Sequence, residues 1–458
     1  MSKNKVFTGD QIDITKISIK SERFKNQFKE LIVAGKEVQA PTAVELNVYE
    51  NINKPYLSGN LILQDDNDLY FSGDFKGTER IIFEYISAGD DDAPIERTFV
   101  ITNIEKSVKT TDQSTLLKIN FIENHAYFSD LKLVNKSYTG TPPEIIKKII
   151  EDNTTLSVND ISAGGGAIQR SLRYIVPWQS ALDACYSVLT KSSTTDGLPF
   201  FLYSTLNSKE IVLTDLETIL SEKPWNDKNP FTYSKALMNK SNDDIINKQF
   251  IIYNYSASNL EETKKYAKLG AIGSSISHVD ADTGLEVSGR LDMLKEFNSL
   301  ERREIFKDDQ KRAPIDEDFR AFPDGPEDIK LNDYNSRRFT SFSFSPFRDV
   351  NGLVSDFLNA RQLIIKNNFF RYLYKNIHKI HVPGVQFTTR DLRTTVGNQI
   401  QIELLGSALD ETKSTETTDK KRSGNYIMLA KRHIFDIVNE AHSCAISVGR
   451  IADERLLS

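Results

Sequence analysis

A chain of 458 residues with 39% hydrophobic side chains, 26 Phe and 17 Tyr can bury several cores and is too long for one, so about three domains are expected. Its 58 Lys and Arg against 64 Asp and Glu leave a formal charge of -6, which excludes the strongly basic field of a nucleic-acid binder. With only Cys185 and Cys444, a disulfide scaffold is excluded, a reducing place of synthesis fits, and both thiols read as packing residues. No apolar stretch of signal-peptide length opens the chain and no run of about 18 apolar residues occurs, so a soluble protein without a membrane-spanning segment, not exported by that route, is expected.

Residues 1–40 are charged and mixed and read as an arm or an edge element. From Thr42 the period becomes two: Val44, Leu46 and Val48 point one way, while Glu45, Asn47 and Tyr49 point the other. A second strand carries Leu57, Gly59, Leu61 and Leu63, and further strands are expected over 79–86, 99–108 and 115–122. At least five short strands without a helical period make this first region an antiparallel barrel or sandwich. Thr141-Pro142-Pro143-Glu144 then combines an N-cap residue, a proline at the first helical position and a glutamate three residues on. A helix starts there, with Ile145, Ile146, Ile149 and Ile150 on one face. A short strand at 173–176 precedes Pro177-Trp178, and Ala181, Leu182, Cys185, Val188 and Leu189 form the apolar face of a second helix. Strands at 200–204 and 210–214 complete a small α+β region ending near Pro224-Trp225.

A β-rich stretch resumes at 245–255, with Gln249 to Tyr253 as its clearest part. Residues 288–347 are polar, rich in Arg, Asp and Pro, and read as an insertion. A strong helical pattern follows through Leu353, Val354, Phe357, Leu358, Ile364, Ile365, Phe369 and Tyr372 and runs into a strand at 377–382. The last strands are expected at 399–405, 426–435 and 443–448. Their order echoes the stretch 77–122: Gly77-x-x-x-Ile-x-Phe-Glu84 is answered, one residue shorter, by Gly397-Asn-Gln-Ile-Gln-Ile-Glu403. The expectation is that the segments 79–122 and 399–448 share one strand order.

No catalytic, cofactor-binding or metal-ligating residue is assigned from the sequence. His378 and His381, three apart on a strand, put their rings on opposite faces, with no Cys, Asp or Glu beside them to complete a tetrahedral set. A calcium-loop register from Asp68 places Gly73 sixth and Glu79 twelfth, but Tyr70 in the third position offers no carboxylate or amide oxygen. Gly164-Gly165-Gly166 lacks the Lys-Ser/Thr pair of a phosphate loop. The basic runs Lys420-Lys421-Arg422 and Lys431-Arg432-His433 read as solvated surface. There is no Gly-x-Ser-x-Gly elbow or zincin helix; carboxylates alone leave glycosidase chemistry open, but an enzyme is not expected.

The order of elements, with Val176-Pro177-Trp178-Gln179-Ser180 opening the second helix, the passage from Tyr372 to Ile380 into Val382-Pro383-Gly384-Val385, and the hairpin Tyr426 to Val448, resembles the baseplate hub proteins of contractile-tailed phages, the T-even hub among them. Val48-Tyr49-Glu50 and Pro55-Tyr56-Leu57-Ser58-Gly59 are similar to tail proteins of related phages. The resemblance spans most of 42–450 and implies an α+β, predominantly antiparallel β fold with two tail-tube-like barrels. Their expected extents are 1–130, with 1–40 as an N-terminal arm, and 241–287 plus 350–458. Between them come a small α+β domain at 131–240 and the insertion at 288–349, which departs from the family pattern.

The implied function is a structural hub. Three chains would form a homotrimeric ring joining the sixfold tail tube to the threefold central spike, with neighbouring baseplate wedge or sheath-initiator proteins as further partners. DNA would pass through the channel at ejection without specific binding, and the location would be the virion tail baseplate, assembled in the host cytoplasm. No cofactor is implied. Competing readings are a cell-wall glycan-binding or glycan-degrading tail module, and a hub or spike component of a related bacterial contractile injection system.

Overall fold

The computed structural model describes residues 11–454 apart from 22–29, 36–37, 39–40, 67–76, 87–93, 110–113, 162–171, 234–248, 259–262, 303–310, 313–328, 344–349, 407–416 and 420–421. Seven strands build the first unit: β1 (Asp13–Lys20), β2 (Glu30–Gly35), β3 (Thr42–Asn51), β4 (Ser58–Asp65), β5 (Arg80–Ile86), β6 (Ile95–Lys109) and β7 (Thr115–Glu123). They pair antiparallel in the order β3-β4-β7-β6-β5-β1-β2. Alternate side chains, including Ile17, Ile19, Val33, Leu46, Val48, Leu61, Phe83, Phe99 and Phe121, meet in one core. The arm expected at 1–40 is therefore in part a hairpin: β1 lies inside the sheet between β5 and β2, because its apolar alternation, though only a few residues long, fills the core. In β3 the expected phase shifts once, since a bulge between Ala43 and Glu45 turns Ala43 inward in place of Val44.

The middle region starts with α1 (Asn124–Leu131), β8 (Leu133–Val134), β9 (Ser137–Gly140) and α2 (Pro142–Asn153). The Glu144 carboxylate accepts the Thr141 N–H at 2.9 Å, the reciprocal cap its sequence position implies. Next come β10 (Val158–Asp160), β11 (Leu172–Ile175), β12 (Gln179–Ser180), α3 (Ala181–Thr190), β13 (Phe200–Thr205), β14 (Ser208–Asp215) and α4 (Leu216–Ser221). The isoleucine face of α2 packs with Cys185 and Val188 of α3 over β13 and β14. The β13–β14 turn reaches the first unit, where Leu206 enters the first core and the buried Arg97 guanidinium donates to the Leu206 carbonyl at 2.9 Å and to the carbonyls of Thr205 and Ser208.

The remaining elements are β15 (Phe231–Tyr233), β16 (Asn254–Ala257), α5 (Thr263–Lys268), β17 (Gly273–Asp280), β18 (Glu286–Asp292), α6 (Met293–Arg302), β19 (Lys311–Arg312), β20 (Arg338–Ser343), α7 (Val350–Leu373), β21 (His378–Pro383), β22 (Gln399–Gly406), β23 (Thr417–Thr418), β24 (Gly424–Asp436), β25 (Ala441–Gly449) and β26 (Asp453–Glu454). The order β16-β21-β25-β24-β22 repeats β3-β4-β7-β6-β5 strand for strand, antiparallel throughout. The bulge between Ile101 and Asn103 of β6 recurs between Met428 and Ala430 of β24. Gly77 and Gly397, ahead of β5 and β22, both have positive φ, which explains glycine at both places. Segments 79–122 and 399–448 thus share the expected order of strands.

Three sequence expectations change. Gln249 to Tyr253 contributes only a bridge from Ile251 to Thr232, and the ladder begins at Asn254. Residues 273–287, grouped by sequence with the second barrel, pair as β17 and β18 with β20 in a separate three-stranded sheet that α7 covers. The polar stretch thus holds β18, α6 and β20, and from it Leu291, Met293, Phe297 and Leu300 enter a buried core. On α7, Leu353, Ile365, Phe369, Tyr372 and Leu373 are buried, whereas Val354 and Leu358 are exposed.

Gly59 of β4 leaves no room for a methyl group: a Cβ there would strike the Asn47 carbonyl oxygen and the Phe121 ring. Gly59→Ala is expected to lower unfolding free energy by about 1–3 kcal/mol through overpacking, read as a drop in the denaturant midpoint.

Candidate functional site

Apart from a bridge between Gln11 and Ala441, the strand pairing between the two units runs along one strand. The first part of β24, Gly424 to Ile427, pairs with β22, and the second part, Ala430 to Asp436, pairs antiparallel with β3 of the first unit. A single 14-stranded sheet results. At this seam Glu50 of β3 stands opposite Lys431 of β24. Both side chains are wholly buried, with Lys431 Nζ 3.0 Å from Glu50 Oε2. The other carboxylate oxygen, Oε1, accepts the Leu206 N–H at 2.7 Å and lies 3.3 Å from His433 Nε2. Lys431 also donates to the Thr394 carbonyl at 3.1 Å and sits over the Phe387 ring. Burial opposes ionisation of Glu50, but the Lys431 charge, the His433 contact and the Leu206 N–H outweigh it and hold the carboxyl at about 2.

Beyond Glu50 the polar chain continues inward. His433 Nδ1 is 3.1 Å from His442 Nε2, and Cys444 Sγ is 3.6 Å and 3.5 Å from these two nitrogens. The three residues are fully buried on adjacent strands, with His433 directly opposite Cys444 in the β24–β25 ladder. Burial lowers the pKa of both imidazoles and raises that of the thiol. These are the residues whose nature could hold a metal among those described.

The second feature is a pair of unfilled strand edges. Along β6, residues 95–100 pair with β5 just as 424–427 of β24 pair with β22. The next part of β24 pairs with β3; its counterpart on β6, residues 103–109, pairs with β7 on one side and, among the described residues, with no strand on the other. β16, the counterpart of β3, is the last strand of the sheet order and pairs only with β21 among the described residues. Thr102, Asn103 and Val108 on the one edge, and Asn254, Ser256 and Ala257 on the other, are exposed.

The sequence candidates fall as follows. His378 and His381 do face apart: His378 Nδ1 lies 2.6 Å from the Tyr255 hydroxyl, and His381 Nε2 meets Ser443 Oγ at 2.9 Å. Glu79 accepts the N–H groups of Gly77 and Thr78, while Asp68, Gly73, Gly164 to Gly166, Lys420 and Lys421 lie outside the described residues. Lys431 and His433 are not solvated surface, contrary to the expectation from their basic run; only Arg432 of the three points outward, over Tyr49 and toward Glu45. Cys185 is a packing residue, whereas Cys444 touches two imidazoles. Sequence reading missed the cluster because it weighed histidines by spacing along one strand. The available signal was His433 and His442-x-Cys444 flanking a four-residue turn, which puts all three on one face of a hairpin.

No family model and no curated protein matches the chain. Among solved structures, it is similar to a tail protein from Neisseria meningitidis (10% identity, TM-score 0.46, covering 95% of this chain and 96% of that one). A 43 kDa tail protein of prophage MuSo2 from Shewanella oneidensis gives 8% identity and TM-score 0.47, covering 95% and 98%. An Escherichia coli type VI secretion component, described as structurally similar to T4 bacteriophage tail proteins, gives 9% and 0.41, covering 94% and 76%. Likenesses this distant leave function to the chain's own geometry.

Lys431→Met strands the buried Glu50 charge and is expected to cost about 3–5 kcal/mol. Adding Glu50→Gln should recover part of that loss in a double-mutant cycle of denaturant unfolding; strict additivity would show that the pair is not coupled. His378 supplies a pH prediction. Burial, then the Arg450 and Arg422 charges, lower its pKa to about 4. The unfolded chain therefore binds the extra proton first, and stability present above pH 6.5 is lost as pH falls toward 4, by roughly 3 kcal/mol. His378→Gln should flatten that part of the stability–pH curve.

Proposed function

We propose that the chain is a structural hub of a phage tail baseplate, three copies closing into a ring that joins a sixfold tail tube to a threefold spike and leaves a channel for the genome. One observation carries this reading. The chain contains two copies of one β unit, joins them by an edge-to-edge seam, and carries, among the described residues, the two halves of a second such seam, unfilled, on β6 and β16. Unpaired strand edges invite another chain, and a heterologous contact of this kind generates a ring where its rotation closes. Three chains with two units each would present six near-equivalent sectors to a sixfold partner and three to a threefold one. The net charge of -6 is compatible with a lumen past which DNA slides.

The internal seam sets the register of the missing one. Ile434 stands opposite Asn47 in the β24–β3 ladder, and carrying that pairing through the repeat, past the second bulge of β6 between Ile104 and Lys106, puts Val108 of one chain opposite Ser256 of the next. The double variant Val108→Cys/Ser256→Cys is expected to form interchain disulfides on oxidation and to run as a covalent species of about three times the 52.0 kDa chain mass. Either single variant should give no such ladder. A chain that stays monomeric by light scattering at all concentrations, with no crosslink in the double variant, would remove the ring.

A further inference from the structure

We propose that His433, His442 and Cys444 bind a divalent transition-metal ion inside the second unit, with zinc as the ion their chemistry fits. The site does not depend on the hub reading, since it lies within one chain.

The argument begins with the spacing of the ligand atoms. Tetrahedral zinc with Zn–N near 2.0–2.1 Å and Zn–S near 2.3 Å requires its ligands to stand about 3.3 Å apart for two nitrogens and about 3.5 Å for nitrogen and sulfur. The structure has 3.1 Å between His433 Nδ1 and His442 Nε2, and 3.6 and 3.5 Å from these to Cys444 Sγ. Three vertices of a tetrahedron are thus already placed, on two paired strands whose register fixes them. Two imidazoles and a thiolate favour zinc over calcium or magnesium, which take oxygen ligands.

The surroundings meet the demands of a metal site. Glu50 Oε1 lies 3.3 Å from His433 Nε2, so that nitrogen carries the proton and Nδ1 presents its lone pair inward. A carboxylate behind a histidine ligand fixes tautomer and ring orientation in this way. The His442 ring is stacked on Phe435, with centroids 4.3 Å apart, and lies against Gly384, where a Cβ would strike its Nδ1. That Nδ1 is buried against the Gly384 backbone, which holds the outer side of the ring. A ring held in this way turns its other nitrogen, Nε2, toward His433 and Cys444. Loading the ion removes the thiol proton to solvent: one S–H bond breaks, one metal–sulfur bond forms, and no oxidant or reductant is involved.

The test uses the full chain with any affinity tag removed, stripped by a chelator and reloaded with Co²⁺ as a spectroscopic stand-in for zinc. One cobalt per chain, with a thiolate-to-metal charge-transfer band and the strong visible bands of a tetrahedral ion, is expected. The band should persist in Cys185→Ser, whose only thiol is Cys444, and vanish in Cys444→Ser and His442→Gln. If the last two variants fail to fold, the Cys185→Ser spectrum decides alone. No charge-transfer band in that variant, or a band surviving in folded Cys444→Ser, would overturn the proposal and leave the cluster a hydrogen-bonded core.

Discussion

One buried carboxylate ties the parts of this chain together. Glu50 sits on β3 of the first unit, pairs with Lys431 and His433 on β24 of the second, and accepts the N–H of Leu206 from the hairpin of the middle region. A buried charge is tolerable only when its partners stay in place, so a displacement of any one of the three parts exposes the others to a desolvation cost of several kcal/mol. The apolar ladders hold each unit together; this polar contact sets how the units stand to one another along the seam.

That constraint gives the duplication its meaning. Two units with the same strand order could be linked flexibly, yet here the continuous sheet fixes them edge to edge. A rigid pair of repeats with one filled and one unfilled seam has a direction, from the edge of β6 to the edge of β16. Edges of this kind are normally blunted or covered. Val108, an exposed apolar residue on the β6 edge, occupies the place that Ile434 holds in the filled seam, where it stands opposite Asn47 of β3.

The strands and helices with regular periods were legible in the sequence: Thr141 to Glu144 announced their helix, and the echo of 77–122 in 397–448 announced the repeat of strand order. Less legible were the features that depend on partners far along the chain. The bulge at Val44 depends on how β3 fits β4, and the phase of a strand cannot register it beforehand. The weak alternation of β1 and the mixed pattern of β17 acquired their sheets from partners about sixty residues or more away, on β5 and β20. Lys431-Arg432-His433 looked like a solvated run because the ion pair that makes burial tolerable lies at Glu50, 381 residues earlier. The cluster with His442 and Cys444 was hidden for a similar reason, since its proximity arises across a hairpin.

Amide hydrogen exchange across the two edges tests the central claim most directly. In the assembled state, the N–H groups of residues 103–109 and 254–257 that point away from β7 and β21 should be protected to a degree comparable with residues 430–436 of the filled seam, and should lose that protection on dilution to the monomer. Rapid exchange at both edges in a preparation that is demonstrably oligomeric would contradict ring closure through these strands.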